Sequence, residues 1–150
     1  MDFHQFITEV NRTYKEEDEL YRRLARRSGL SEAAFWTLYA METAPGPVTQ
    51  AKVCSYLSIS KQTINSALKQ LEQTGHIRLT SGPGRTKYLD LTQQGRALIS
   101  RTIRPVLEAE ERVFLGLSEE ERTGLLALER RYLSLLLQES EQIFQRPQEE

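Results

Sequence analysis

The amino-acid sequence predicts a mainly α-helical fold that carries one β-hairpin. Three observations support this prediction. Apolar residues recur at helical spacing over most of the chain, Pro and Gly fall between these stretches, and strict alternation of apolar and polar residues is confined to residues 77–91. Hydrophobic residues make up 39% of the 150 residues and charged residues 27%, which suffices for a core. We therefore expect a single folded domain with six helices.

Capping residues delimit the first two predicted helices. Apolar side chains recur at helical spacing from Phe3 onward, which predicts a helix over residues 3–27 that Gly29 ends. Ser31 is a suitable N-cap for the second helix. The segment 44–47 (APGP) stops that helix, because proline cannot continue it.

A short helix and a longer one follow. Residues 49–57 and 60–74 have helical patterns and are separated by the turn Ser58-Ile59. Ser60 is placed to cap the longer helix and Gly75 to end it. A short helix, a tight turn and a longer helix are the order of a helix-turn-helix.

The alternating segments after this motif predict a hairpin. Residues 77–80 and 87–91 are expected to form two half-buried strands around the loop 81–86. A hairpin directly after a helix-turn-helix is typical of the wing of a winged helix. The predicted fold class is therefore mainly α, an α+β winged helix with helices at both ends.

Two further helices complete the prediction. Thr92 caps a helix that runs to about residue 115, with a kink or a local weakening expected at Pro105. Ser118 and Glu121 form a capping box at the start of the last helix. That helix has an apolar surface wider than one small core requires, which indicates a partner; the residues concerned are Leu125, Leu126, Leu128, Tyr132, Leu133, Leu135, Leu136 and Leu137.

The helix at 60–74 carries the pattern from which a function is predicted. Ile64, Leu68 and Leu71 share one face and are expected to anchor the helix. Amide and lysine side chains on another face suit base edges in the major groove of DNA, and hydroxyl and lysine groups at the helix start suit phosphates. The predicted DNA-binding residues are Ser60, Lys61, Gln62, Thr63, Asn65, Ser66 and Lys69, together with Arg85, Thr86 and Lys87 of the hairpin.

The distribution of charge supports this prediction, although the net charge does not. The net charge is −1, but residues 60–90 contain five basic and two acidic side chains. Residues 116–150 contain four arginines and eight glutamates. A polyanion is therefore expected at residues 60–90.

These segments together resemble the MarR-type winged-helix regulators. The resemblance runs through TQAKVCSYLSISKQTINSALKQLEQTGHI, the hairpin and LTQQG. It implies a homodimer built from residues 1–28 and 116–146, a winged lobe over 31–91, and a connecting helix over 92–115. It also implies that the helix at 60–74 enters the major groove and that Arg85 contacts the minor groove. Many members carry an Asp where this chain has Pro83.

The hypothesis is a cytoplasmic, homodimeric repressor that binds pseudo-palindromic double-stranded DNA, with no cofactor and no membrane partner. The alternative is a winged-helix module that binds a protein and not DNA. An enzyme is not expected, because no catalytic constellation occurs, and His4 and His76 have no metal-ligand spacing. Cys54 is expected to be a core thiol, and no secretory signal opens the chain.

Aromatic residues on the second helix leave two alternatives open. Trp36 lies beside Phe35 and near Tyr39 in the sequence. These side chains are expected to pack in the core; in the other interpretation they line a pocket for a small apolar or aromatic effector.

Overall fold

The computed structural model describes residues 1–57 and 60–145, which form seven helices and one antiparallel hairpin, and so confirms the predicted fold class. The turn Ser58-Ile59 and the tail from residue 146, where the predicted dimerisation segment ends, lie outside the described residues. The elements are α1 (Phe3–Arg27), α2 (Glu32–Thr43), α3 (Gln50–Leu57), α4 (Lys61–Gln73), β1 (Ile77–Ser81), β2 (Lys87–Leu91), α5 (Gln93–Thr102), α6 (Arg104–Gly116) and α7 (Glu119–Phe144).

All four predicted N-caps are confirmed. The side-chain oxygens of Ser31, Ser60, Thr92 and Ser118 each accept a hydrogen bond from the backbone N–H three residues later, at 3.0 to 3.2 Å. Ser118 also donates its own N–H to the Glu121 carboxylate at 2.7 Å, which completes the predicted capping box. These caps satisfy N–H groups that have no partner within the helix.

The helix predicted over residues 92–115 is two helices, so the described part of the chain has seven helices and not the six predicted. α5 ends at Thr102, Ile103 caps it, and α6 begins at Arg104. Pro105 has no N–H to donate to the carbonyl of Arg101, and it is tolerated in the first turn of a helix, where that donor is not needed. The break therefore coincides with Pro105, which was expected to kink or locally weaken one continuous helix.

The core of the winged lobe forms around α2. Phe35 and Leu38 of this helix are fully buried, and Thr37 is accommodated there because its hydroxyl donates to the Ala33 carbonyl at 2.6 Å. α4 packs against α2 through the predicted anchors Ile64, Leu68 and Leu71, each at most 2% exposed. The anchoring face of α4 was thus predicted correctly.

The chain divides into two compact units, Met1–Leu107 and Glu108–Glu150. The first contains the winged lobe and the second contains α7. None of the described residues of α7 is buried within the single chain. Over the described ranges, no helix combines the length and the apolarity needed to cross a lipid bilayer.

Candidate nucleic-acid interface

The outer face of α4 is open to solvent, as the sequence predicts. With Ile64, Leu68 and Leu71 buried against the lobe, the opposite side of the helix carries short polar side chains and two lysines. All seven residues predicted on this helix are exposed: Ser60, Lys61, Gln62, Thr63, Asn65, Ser66 and Lys69. This face is therefore accessible, and a helix of this width fits the major groove of DNA.

Several of these side chains are held by local hydrogen bonds. The hydroxyls of Ser60 and Thr63 lie 2.8 Å apart at the start of α4. The Ser66 hydroxyl donates to the Gln62 carbonyl at 3.0 Å, which leaves its lone pairs free to accept. These hydroxyl groups therefore have defined positions on the surface.

The hairpin places a basic loop beside this helix. Its strands pair in register from Ile77 opposite Leu91 to Ser81 opposite Lys87. Backbone hydrogen bonds close the loop, from Gly82 N to Thr86 O at 2.9 Å and from Thr86 N to the carbonyl of Pro83 at 3.2 Å.

The tip of the loop depends on glycine. Gly84 adopts a φ of +63°, in the left-handed region that other residues avoid. Arg85 follows directly and is exposed. The backbone turn thus presents Arg85 although Pro83 replaces the Asp found in many MarR-type proteins.

A short backbone connection joins the hairpin to the start of α3. Leu89 N donates to the Val48 carbonyl at 2.9 Å, and Thr49 forms an isolated antiparallel bridge with Tyr88. The first residues of α3 are therefore held next to strand β2. This contact creates a concave surface between α3, the start of α4 and the hairpin.

That surface is a cleft of about 780 Å³, which we call the basic cleft; its walls are Thr49, Gln50, Ala51, Cys54, Ser55, Lys61, Arg85, Thr86 and Lys87. Among the described residues, its three cations Lys61, Arg85 and Lys87 form no ion pair. Lys87 Nζ donates to the Ser81 hydroxyl at 2.9 Å. Three cations that are not neutralised in one concavity suit an anionic ligand.

The structure brings four of the ten predicted residues into the cleft, namely Lys61, Arg85, Thr86 and Lys87. The other six, which are Ser60 at the N-cap and five exposed residues of α4, do not line it. Thr49, Gln50 and Ser55 line the cleft but were not predicted. They reach the cleft because Thr49 bridges to Tyr88. A contact between residues so far apart in the sequence produces no local sequence pattern, so these residues could not be predicted.

Cys54 and His76 have defined surroundings. Cys54 packs against the core but is only half-buried, because its other side faces the basic cleft. His76 lies outside the cleft, and its Nδ1 is 2.7 Å from the hydroxyl of Thr74, the C-cap of α4. Burial, and next the positive charge of Arg101, lowers the pKa of His76. His76 therefore lies at the end of α4, and its neutral form is favoured.

The aromatic residues of α2 form a cluster with α1. The Trp36 ring lies 4.8 Å from the ring of Tyr21, 5.4 Å from Phe35 and 5.2 Å from Tyr39, measured between centroids. Phe35 is buried and the other three are half-buried. Trp36 thus packs against the core as predicted. Within the described residues, no group of three His, Cys, Asp or Glu side chains could hold a metal ion.

Comparison with known proteins gives consistent matches. Residues 28–85 match the profile of the MarR family. The chain is 36% identical over 87 residues to the HTH-type transcriptional regulator PecS of Dickeya dadantii, over 57% of this chain and 52% of PecS. The match thus spans about half the length of PecS.

Solved structures match over most of the chain. NMB1585, a MarR family regulator from Neisseria meningitidis, has a TM-score of 0.74 and 24% identity, and the match covers 97% of this chain and 100% of that one. MepR from S. aureus in complex with DNA has a TM-score of 0.61 and 21% identity, with 91% and 98% covered. These likenesses show that the chain has the fold of these structures, and the family profile matches residues 28–85 of it.

Proposed function

We propose that this protein is a transcriptional regulator that binds double-stranded DNA as a homodimer, with α4 in the major groove and the hairpin against the adjacent backbone and minor groove. The observation that carries the proposal is the basic cleft. It places Lys61, Arg85 and Lys87 together, without acidic partners among the described residues, beside the exposed polar face of α4. Phosphate contacts fix the position on a duplex, and groove contacts recognise the bases.

The side-chain chemistry indicates which residues would contact phosphates and which would contact bases. Lys61, Arg85 and Lys87 supply salt-dependent affinity for phosphates, whatever the base sequence. Gln62, Asn65 and Lys69 carry the donors and acceptors that distinguish base edges in the major groove. The short hydroxyl side chains at the start of α4 suit phosphate oxygens, because the N-terminus of a helix favours anions.

The proposed dimer explains the exposed leucines of α7. Leu125, Leu126, Leu128, Leu133, Leu135, Leu136 and Leu137 are each between 50% and 67% exposed in the single chain. At 3.6 residues per turn they cover an arc of roughly 200° around the helix. An exposed apolar surface of this extent marks an interaction site. A second copy of the chain is the proposed partner.

A two-fold dimer determines the form of the DNA site. Two copies of α4 in successive major grooves require half-sites separated by one helical turn, about 10 bp. We therefore propose a pseudo-palindromic target and a repressor that acts by occupying it. The proposal includes release by a small apolar or aromatic effector, whose candidate contacts are the half-buried rings around Trp36.

The test is DNA binding as a function of salt. Binding sites are selected from a random duplex pool, and the dissociation constant is then measured by fluorescence anisotropy at several salt concentrations. Lys61→Gln, Arg85→Gln and Lys87→Gln should each weaken binding to all sequences. For each phosphate that a variant no longer neutralises, the slope of log K against log salt should become less steep by about 0.9, hence by about 1.8 for a dimer.

Lys15→Gln is the matched control, because Lys15 is an exposed lysine on α1, away from the basic cleft. It should leave both affinity and slope unchanged. If the wild type selects no duplex, or if the cleft variants behave like Lys15→Gln, the proposal is wrong. A winged-helix module that binds only a protein would give that result.

A further inference from the structure

A hydrogen bond between two amide side chains joins the two helices of the helix-turn-helix. Gln50, at the start of α3, donates from Nε2 to Oδ1 of Asn65 on α4. Asn65 is exposed and Gln50 is half-buried at the edge of the basic cleft. The pair therefore lies where the proposed duplex would contact the lobe.

This bond gives the two amides complementary roles, since one must donate where the other accepts. If the Asn65 amide alone were rotated by 180°, two NH₂ groups would oppose each other; if both amides were rotated together, the bond would be kept with its direction reversed. With Oδ1 directed to Gln50, the Asn65 Nδ2 group remains free to donate. Gln50 keeps its Oε1 free to accept. The pair thus presents one donor and one acceptor, supplied by two different helices.

We infer that Gln50 and Asn65 act as one unit that recognises a single adenine in the major groove; this inference rests on the proposed function. Adenine presents an acceptor at N7 beside a donor at N6. Asn65 Nδ2 donates to N7 and Gln50 Oε1 accepts from N6. Guanine presents acceptors at both N7 and O6, so its O6 would face the Gln50 oxygen without a proton between them. Gln50 is therefore a specificity-determining residue, although it lies outside α4.

A purely structural role for this bond predicts something different. If the bond only ties α3 to α4, its loss should lower stability and weaken binding to every sequence equally. If the pair recognises one base, its loss should change the preference at one base pair and at no other. The two roles are therefore separated by base preference and not by affinity alone.

The experiment compares Gln50→Leu, Asn65→Leu and the double variant on the selected site, with each base pair of one half-site replaced in turn. Each single variant should lower the preference for adenine over guanine at the same base pair by about tenfold, the range expected for one two-point contact. The double variant should lose no more than either single variant. Gln70→Leu removes an exposed amide from another part of α4 and should retain the preference.

A measurement without DNA checks the bond itself. In the NMR spectrum, the side-chain NH₂ signals of Asn65 should shift in Gln50→Leu and not in Gln70→Leu. The inference is overturned if these signals do not shift or if Gln50→Leu retains every base preference. It is also overturned if Gln50→Leu weakens binding to all sequences equally. The proposed function survives those results as long as the wild type selects a site and Lys61→Gln weakens binding. If the wild type selects no site, both fall.

Discussion

Replacing Gly95 by alanine should destabilise the winged lobe, because α5 approaches the start of the hairpin at this residue. Gly95 is buried in the first turn of α5. A methyl group there would lie 3.0 Å from the carbonyl carbon of His76, with the carbonyl oxygen closer still, and 3.1 Å from Leu91 Cδ2. The obstacle is backbone and cannot rotate away as a side chain can.

The His76 carbonyl is also held in place by the α5 cap. Thr92 N donates to it at 3.1 Å, and the Thr92 hydroxyl donates to the Gly75 carbonyl at 2.6 Å. A shift that makes room for the methyl group would weaken these bonds. Overpacking typically costs about 1–3 kcal/mol, and the upper half of that range applies where backbone must move. The intrinsic gain of alanine over glycine in a helix, at most about 1 kcal/mol, offsets part of this.

The net expected loss is about 2 kcal/mol in the free energy of unfolding, or a decrease in Tm of about 4–8 °C for a chain of this size. Thermal and urea unfolding at fixed protein concentration measure both quantities. Gly124→Ala is the matched control, since Gly124 lies inside α7 and has nothing within 4 Å of the added methyl group. It should raise stability by up to about 1 kcal/mol. Equal stabilities of Gly95→Ala and the wild type would refute the reasoning.

Three other predictions follow from the structure. Leu136→Glu places a charge at the centre of the apolar arc of α7 and should convert the proposed dimer to a monomer in sedimentation equilibrium. Duplex DNA should slow the reaction of Cys54 with a maleimide, measured by mass spectrometry, because this thiol faces the basic cleft. Lowering the pH from 7.5 to 5 should decrease the free energy of unfolding, because the pKa of His76 is lower in the folded protein than in the unfolded chain, which therefore binds more protons in this range. That loss should be smaller in His76→Gln.

Each of these predictions has its own control. Ser134→Glu adds the same charge at the centre of the polar side of α7 and should leave the dimer intact; a dimeric Leu136→Glu variant would exclude α7 as the interface. Ser134→Cys in a Cys54→Ala background should react with maleimide at the same rate with and without DNA, and an equally unprotected Cys54 would contradict the placement of the duplex. Arg101→Gln should weaken the pH dependence, since Arg101 contributes to the lowered pKa of His76.

The elements that were predicted correctly are those that local sequence determines. Ser31, Ser60, Thr92 and Ser118 each cap the predicted helix through a contact three residues away. The buried face of α4 follows from the spacing of its aliphatic residues. Capping and periodicity act within one or two turns of helix, so both are visible in the sequence.

The features that were missed depend on contacts between distant residues. Thr49 bridges to Tyr88 across 39 positions of the chain, and this bridge, with the hydrogen bond from Leu89 N to the Val48 carbonyl, brings the start of α3 to the hairpin. The bond from Gln50 to Asn65 spans 15 positions. Neither contact produces a periodic pattern in the sequence, so only part of the basic cleft could be predicted. The break at Ile103 is local, but the sequence does not determine whether Pro105 bends a helix or ends it.

The small net charge of −1 is compatible with binding to a polyanion because basic side chains elsewhere in the chain are paired with carboxylates. On α1, Arg12, Arg22 and Arg26 each lie within 2.5 to 2.8 Å of a carboxylate of the same helix. Exposed pairs of this kind add little to the stability of the fold, but each carboxylate lowers the positive electrostatic potential around its arginine.

The basic cleft differs from α1 in this respect. Among the described residues, its lysines and arginine have no carboxylate within ion-pair distance. The field that an approaching duplex meets is therefore positive at the cleft, although the whole chain is slightly acidic. On the proposed function, the unpaired cations of the cleft, and not the total charge, determine where the duplex binds. An acidic residue introduced beside Lys61 would consequently weaken binding more than the same residue introduced on α1, at an identical net charge.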